Sequence, residues 1–358
     1  MRHADGRGRM QNLPTLTIAM IGASGSGKST YLHGLYASMT RGVDNCNLHE
    51  LDPNADVRLV ETWQELGQGT LVPRTLDKPT NYRFTFSREM QATAILDWTD
   101  FRGGALHDFV GVDGSLDTQF LLDKISLSNA IFVTLDGEHF RKPVSPERRE
   151  PLAREMVIHR ISSVLTETLT RRTARGLTWP SIAILLTKAD LIDWGGSSGR
   201  TLTSVVQEVR DLLPVAFQPR VCAAVCPVTV GPLQPMPGGH ARPDGVDPND
   251  VHLPLLFAMT HYYRAAAHQD DLHLRELASR RGGIGAQLAA LPPTRRRAVR
   301  DQRLRLEQEL RAVEEAIGHN QRRFERATRE ISALTPRLRN LRVFEGGAPA
   351  RWAVNRRG

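Results

Sequence analysis

One stretch restricts the fold more than any other. The apolar run TLTIAM passes directly into IGASGSGKST, residues 21 to 30, where three glycines and three serines surround one lysine. Gly22, Gly27, Lys28 and Ser29 fall at the defining positions of G-x-x-x-x-G-K-[ST]. Residues without bulky side chains let successive backbone N–H groups converge on phosphate oxygens, and the positive end of a following helix adds to the attraction. TLTIAMI suits a buried strand and STYLHGLYASM carries apolar residues at helical spacing, so the order strand, loop, helix is met. Gly22, Gly25, Ser26, Gly27, Lys28, Ser29 and Thr30 are the expected phosphate-binding positions. Lys28 is expected to reach the outer phosphates and Ser29 to ligate Mg²⁺.

Further strands supply the rest of a nucleotide site. SIAILLTKADLIDW reads as a buried strand over 181–186 that ends in Thr187, Lys188 and Asp190. A carboxylate there accepts two hydrogen bonds from the ring N–H and exocyclic amine of guanine, whereas adenine offers no matching donor pair. Lys188 is expected to lie along the nucleotide and brace the first loop. In ATAILDWTDFRGGAL the run 92–98 reads as a strand, and Asp100 to Gly103 fits D-x-x-G. Asp100 then holds Mg²⁺ through water and the Gly103 N–H senses the γ-phosphate, with Asp97 as a rival for the metal. NAIFVTLDGEHF and VCAAVCPVTVG supply strands on either side of TKAD, and Thr229 stands where it can contact the guanine carbonyl. Strands alternating with helices predict an α/β fold with a mainly parallel sheet flanked by helices and the ligand at the strands' carboxyl ends.

This ordered set, 22–29, 100–103, 187–190 and a late loop near 227–229, resembles the Ras-like (TRAFAC-type) P-loop GTPases. Within them the chain looks most like the bacterial double-GTPase-type domains of predicted conflict and signalling systems. LVETWQELGQGTLVPRT, DFRGG and DPNDVHLPLLFAM carry that narrower likeness, which covers roughly residues 14 to 268. It implies GTP and GDP as ligands, Mg²⁺ as cofactor, hydrolysis of GTP, and a switch threonine sensing metal and γ-phosphate. Thr80, directly before NYRFTF, is preferred to Thr75 for that role. Gly104 stands where many such GTPases place a water-orienting glutamine, so slow intrinsic turnover is expected unless a partner, self-association or a basic residue such as Arg102, Arg74 or Lys78 assists.

Charge separates the tail from the rest. The 358 residues carry a net +8, but from Thr294 to Gly358 there are 17 arginines against 8 acids, which leaves the preceding residues near neutral. Leu306, Leu310, Val313, Ile317, Asn320, Phe324, Ala327, Ile331 and Leu334 follow steps of four and three, a heptad seam with one polar break. Pro336 should kink or end that helix. Two uses compete for the seam: pairing with a second copy or another helix, or packing back on the preceding domain, with an intermolecular or self-folded hairpin contact preferred to back-packing. Arginines interleaved with glutamates suit a solvated coiled-coil face, and nucleic acid or another anionic surface is a lesser expectation.

Three cysteines lack zinc-ligand spacing, and no apolar run spans a membrane, so a cytoplasmic protein with reduced thiols is expected. The expected organisation is a disordered N-terminus at 1–12, a Ras-like GTPase domain at 13–268, a helical extension at 269–342 and a basic tail at 343–358. Two rivals remain: a nucleotide-binding scaffold that does not hydrolyse GTP, and an ATP-dependent P-loop enzyme.

Overall fold

The computed structural model describes residues 13–72, 79–101, 116–196, 199–233, 245–293, 296–350 and 352. The chain forms two compact units: one joins the described residues up to Met259 to those from Arg337 onward as far as 352, and the other runs from Thr260 to Pro336.

The first unit is built on a nine-stranded sheet in the order β2-β3-β4-β1-β5-β6-β7-β8-β9. Its centre comprises β1 (Thr15–Gly22), β5 (Ala130–Asp136), β6 (Ser181–Thr187) and β7 (Cys222–Pro227), which run parallel to each other, and β4 (Gln91–Asp100), parallel to β1. These strands are apolar on both sides because both faces are covered. On one face Ile21, Val133, Ile184 and Val225 join a core with Leu121 and Ile125 of α3 (Leu116–Leu127), Ile161 and Leu165 of α5 (Ile158–Ala174), and Val205 and Val209 of α6 (Leu202–Leu212). On the other, Tyr31 of α1 (Lys28–Thr40) packs against Trp98 and Phe132, and Tyr36 against Phe84.

The sheet is mixed, which corrects the expectation of a mainly parallel one. β2 (Cys46–Glu50), β3 (Thr80–Arg88) and β4 form an antiparallel meander. Glu89 and Met90, with φ of 51° and 62°, form a two-residue turn between β3 and β4, and so short a link permits no parallel crossover. At the far edge β8 (Arg342–Glu345) pairs antiparallel with β7, and β9 (Ala348–Ala350) with β8, through a Gly346-Gly347 turn of positive φ. Part of the segment expected to be a basic tail thus completes the sheet. Val343 and Phe344 are buried, and Phe344 meets Phe217 edge-on at 5.2 Å.

α2 (Pro53–Gly67), an element absent from the sequence-based expectation, follows β2; Asp52 caps it by accepting the Asn54 N–H at 3.0 Å. α4 (Pro146–Glu155) precedes α5. α7 (Leu253–Ala290), from Thr260 onward, and α8 (Arg297–Leu334) supply the second unit. Leu277 and Ile284 of α7 pack with Leu306 and Val313 of α8, and the Arg280–Glu309 and Arg323–Asp270 ion pairs run in antiparallel register. The seam is therefore covered by a hairpin within the chain. Asn320 is buried at its polar break, and α8 ends before Pro336. Among the described residues, no helix is long and apolar enough to cross a membrane.

Candidate functional site

β1 ends at Gly22 and α1 begins at Lys28, so the glycine loop lies at the carboxyl edge of the parallel strands. Close packing explains its first and last glycines. A Cβ on Gly22 would lie 2.1 Å from Thr134 Oγ1, and one on Gly27, whose φ is +80°, would lie 3.3 Å from Thr187 Cβ. Gly25 also has positive φ, but open space around it. Ser26 Oγ lies 2.8 Å from the Ala23 carbonyl and 2.7 Å from Thr134 Oγ1. The first N–H groups of α1 have no intrahelical acceptor and mark the loop as the helix's positive end.

Lys28 is buried and donates from Nζ to the Gly22 carbonyl at 2.9 Å and the Ala23 carbonyl at 2.8 Å. Burial lowers its pKa to about 8, partly opposed by Asp100. Ser29 Oγ donates to Asp100 Oδ2 at 2.9 Å. Asp100 is 2% exposed, and its Oδ1 has no hydrogen-bond partner among the described residues. Burial raises its pKa to about 6, against the pull of Lys28 and the Ser29 hydroxyl. Thr80, at the start of β3, is the cross-strand partner of Asp100, so the preferred switch threonine reaches this corner. Asp97 lies on the same strand, three residues before Asp100, while Thr30 is half-buried in the first turn of α1.

These donors fit a hard dication. A hydroxyl and a buried carboxylate with one orphaned oxygen are suitable oxygen ligands for Mg²⁺, which keeps several waters and needs few protein donors. Among the described residues no cluster of three or more His, Cys, Asp or Glu forms a metal cage.

β6 brings the second group of residues to the same edge. Thr187 Oγ1 donates to the Ser26 carbonyl at 2.7 Å and the Leu135 carbonyl at 3.1 Å, tying this strand's end to the glycine loop. Lys188 has φ of 52° and pairs through Nζ with Asp136 at the end of β5. Asp190 is exposed, and its Oδ1 accepts from Thr229 Oγ1 at 2.6 Å. The Gly231 N–H donates back to Thr229 Oγ1 at 3.0 Å. Gly22, Gly25, Ser26, Gly27, Lys28, Ser29, Thr30, Thr80, Asp100, Thr187, Lys188, Asp190 and Thr229 thus share the carboxyl end of the sheet. Arg102, Gly103 and Gly104, together with Arg74, Thr75 and Lys78, lie outside the described residues.

Three contributors escaped the sequence reading. Thr134 holds Ser26, Asp136 holds Lys188, and His33 Nδ1 meets the Ser29 carbonyl at 2.7 Å. Asp136 carried a signal, a carboxylate closing the strand AIFVTLD. Thr134 and His33 carried none, because their partners are distant strands or backbone atoms.

No family model and no curated protein matches the sequence. Among solved structures, the chain is similar to the FeoB G-domain from Methanococcus jannaschii, at 14% identity and a TM-score of 0.26, over 61% of this chain and 87% of that one. Likeness so distant transfers no residue roles, and this chain's own side chains carry the functional reading.

Proposed function

We propose that the chain is a guanine-nucleotide-binding switch of the P-loop GTPase kind that takes GTP with Mg²⁺ and hydrolyses it slowly. The observation that carries this reading is the Thr187–Ser26 hydrogen bond of 2.7 Å, which fixes the turn bearing Asp190 against the glycine loop. A purine bound by Asp190 would therefore have its phosphates directed at Lys28.

Each residue has a defined task. Asp190 and Thr229 read the guanine edge, with Thr229 releasing Asp190 Oδ1 to the base. Lys188, held by Asp136, lines the nucleoside. Backbone N–H groups of the loop and the Lys28 ammonium bind the β- and γ-phosphates and stabilise the charge that develops during in-line attack by water. Ser29, Thr80 and Asp100 would hold Mg²⁺, which would supply positive charge against the phosphates. Gly103 and Arg102 complete the proposed γ-phosphate contacts. The absence of glutamine at position 104 leaves the water without a positioning amide, the basis for expecting slow turnover.

Fluorescent GDP and ADP titrations test the reading. Guanine is expected to be preferred by a factor on the order of 10⁴, and Asp190→Ala should abolish the preference while leaving phosphate contacts intact. Equal affinity for the two nucleotides would sink it. Single-turnover hydrolysis by dilute protein tests the slow step: fast turnover that survives replacement of Arg102, Arg74 and Lys78 contradicts it.

A further inference from the structure

A cleft of about 410 Å³ opens between α1, α2 and the first residues of β3, within the first unit. That volume lies inside the range of roughly 300–1,000 Å³ typical of small-molecule sites. His33, Arg58, Tyr82, Arg83 and Asp97 line it, together with Thr80.

Its charges are unevenly satisfied. Glu50, on the same wall, turns its carboxylate onto backbone: Oε1 accepts the N–H groups of Leu51 and Asp52 at 2.9 and 3.1 Å, and Oε2 that of Arg83 at 3.1 Å. Asp52 is engaged in capping α2. The guanidinium groups of Arg58 and Arg83, by contrast, are exposed and enter no hydrogen bond or ion pair among the described residues. Two planar guanidinium groups with unused donors in one cleft suit a phosphate, which guanidinium binds in bidentate fashion, although Glu50 and Asp52 keep their charge and Asp97 lies across from Arg83 on the next strand.

The inner wall asks for the opposite chemistry. His33 is 7% exposed, and its Nδ1 faces the Ser29 carbonyl. A carbonyl only accepts, so the ring proton lies on Nδ1 and Nε2 is left as an acceptor without a partner. Asp97, half-buried on β4, is likewise without a partner among the described residues. Two inner acceptors call for amino or hydroxyl donors. Tyr82, stacked on Phe84 at 5.8 Å, adds an aromatic wall.

We propose that this cleft binds a phosphorylated small molecule of the nucleoside monophosphate class, its phosphate on Arg58 and Arg83 and its amino or hydroxyl groups on His33 and Asp97. The site is separate from the glycine loop. His33 nevertheless lies one turn beyond Ser29 on α1, and Thr80 lines the cleft, so an occupant would press on two residues assigned to the metal corner. That coupling rests on the function proposed above; binding in the cleft does not.

Calorimetric titration of AMP into the full chain tests the proposal, with inorganic phosphate as comparison. The Lys28→Met variant removes the glycine-loop cation and separates the two sites without relying on GDP. One saturable site is expected in both proteins, weakened at least tenfold by Arg58→Ala and by Arg83→Ala, together with a shift of the His33 Nε2 resonance as AMP is added. Absence of saturable binding, its loss in Lys28→Met, or its survival when both arginines are replaced would overturn the proposal. Inorganic phosphate binding as tightly as AMP would overturn the nucleoside assignment. Both arginines are exposed and unpaired, so their replacement should leave the melting temperature unchanged.

Discussion

Lys28 and Asp100 are buried charges of opposite sign, and burial works against both. The Asp100 carboxyl rises from 3.8 to about 6 in the folded chain, so the native state holds a proton that the unfolded state has already released. Its contribution to stability is complete below about pH 3.8 and is lost as the pH climbs through about 6. Lys28 falls from 10.5 to about 8, and its contribution, complete above 10.5, is lost as the pH drops through about 8. Near neutrality the ligand-free protein therefore carries both penalties. Asp100→Asn should raise its stability at pH 7 by up to about 3 kcal/mol and flatten the slope between pH 4 and 6 in urea titrations. An unchanged slope would mean that Asp100 is not the group responsible.

The glycines of the loop make a second residue-scale prediction. Gly22→Ala drives a methyl against both the hydroxyl and the carbonyl oxygen of Thr134, the latter at 2.7 Å, where trimming a side chain gives no relief. It should cost more than about 2 kcal/mol, and Thr134→Ala should not rescue it. Gly25→Ala meets nothing within 4 Å and should cost only about 1–2 kcal/mol for its positive φ. Paired thermal melts of the two variants decide the point. At this scale the sequence was legible where the pattern is local: the glycine-loop spacing and the strand-end TKAD put Gly22, Lys28, Ser29 and Asp190 forward, and the fold gathers them at one edge of the sheet. The sequence was silent on Thr134 and His33, whose roles come from atoms 108 residues away and from a main-chain carbonyl.

Among the elements, α8 shows how periodicity translates into packing. The buried positions Leu306, Val313, Asn320, Ala327 and Leu334 recur every seven residues, as the seam required. Its partner proved to be α7, whose own pattern is blurred by Gly282, Gly283 and Gly285. Asn320 donates to the Ala316 carbonyl at 2.9 Å, but its Oδ1 is buried without a partner among the described residues. An orphaned acceptor costs about 1–3 kcal/mol. Asn320→Leu should therefore stabilise the hairpin by roughly 1–2 kcal/mol in chemical denaturation while loosening its register. Ile284→Ala should act oppositely, costing about 2–4 kcal/mol through the cavity it leaves. A destabilised Asn320→Leu would show that the amide has a partner in solution.

For the whole molecule, the chain leaves the first unit at Met259 and returns to it at Arg337. The returning strands cover the edge of β7, whose Cys222 to Val225 pair with Glu345 to Arg342. A chain ended before Arg337 would expose that edge and remove the buried Phe344. We expect a lower melting temperature and concentration-dependent light scattering, because an uncovered apolar edge strand pairs with other chains. A truncated protein that stays monodisperse with an unchanged melting temperature would contradict this account of β8.

The sequence by itself determined the parallel centre of the sheet, the glycine loop with its lysine, the strand ends bearing Asp100 and Asp190, and the stripe on α8. Each follows from short-range sterics or from a period of 2 or 3.6 residues, which neighbouring letters record directly. Only the tertiary structure decided the far edge of the sheet, the hairpin partner of α8, the contacts of Thr134 and Thr187 with the glycine loop, and the pairing of Asp136 with Lys188. Those outcomes depend on which segments meet across intervals from tens of residues to the 161 between Thr187 and Ser26, and no local pattern encodes such a contact.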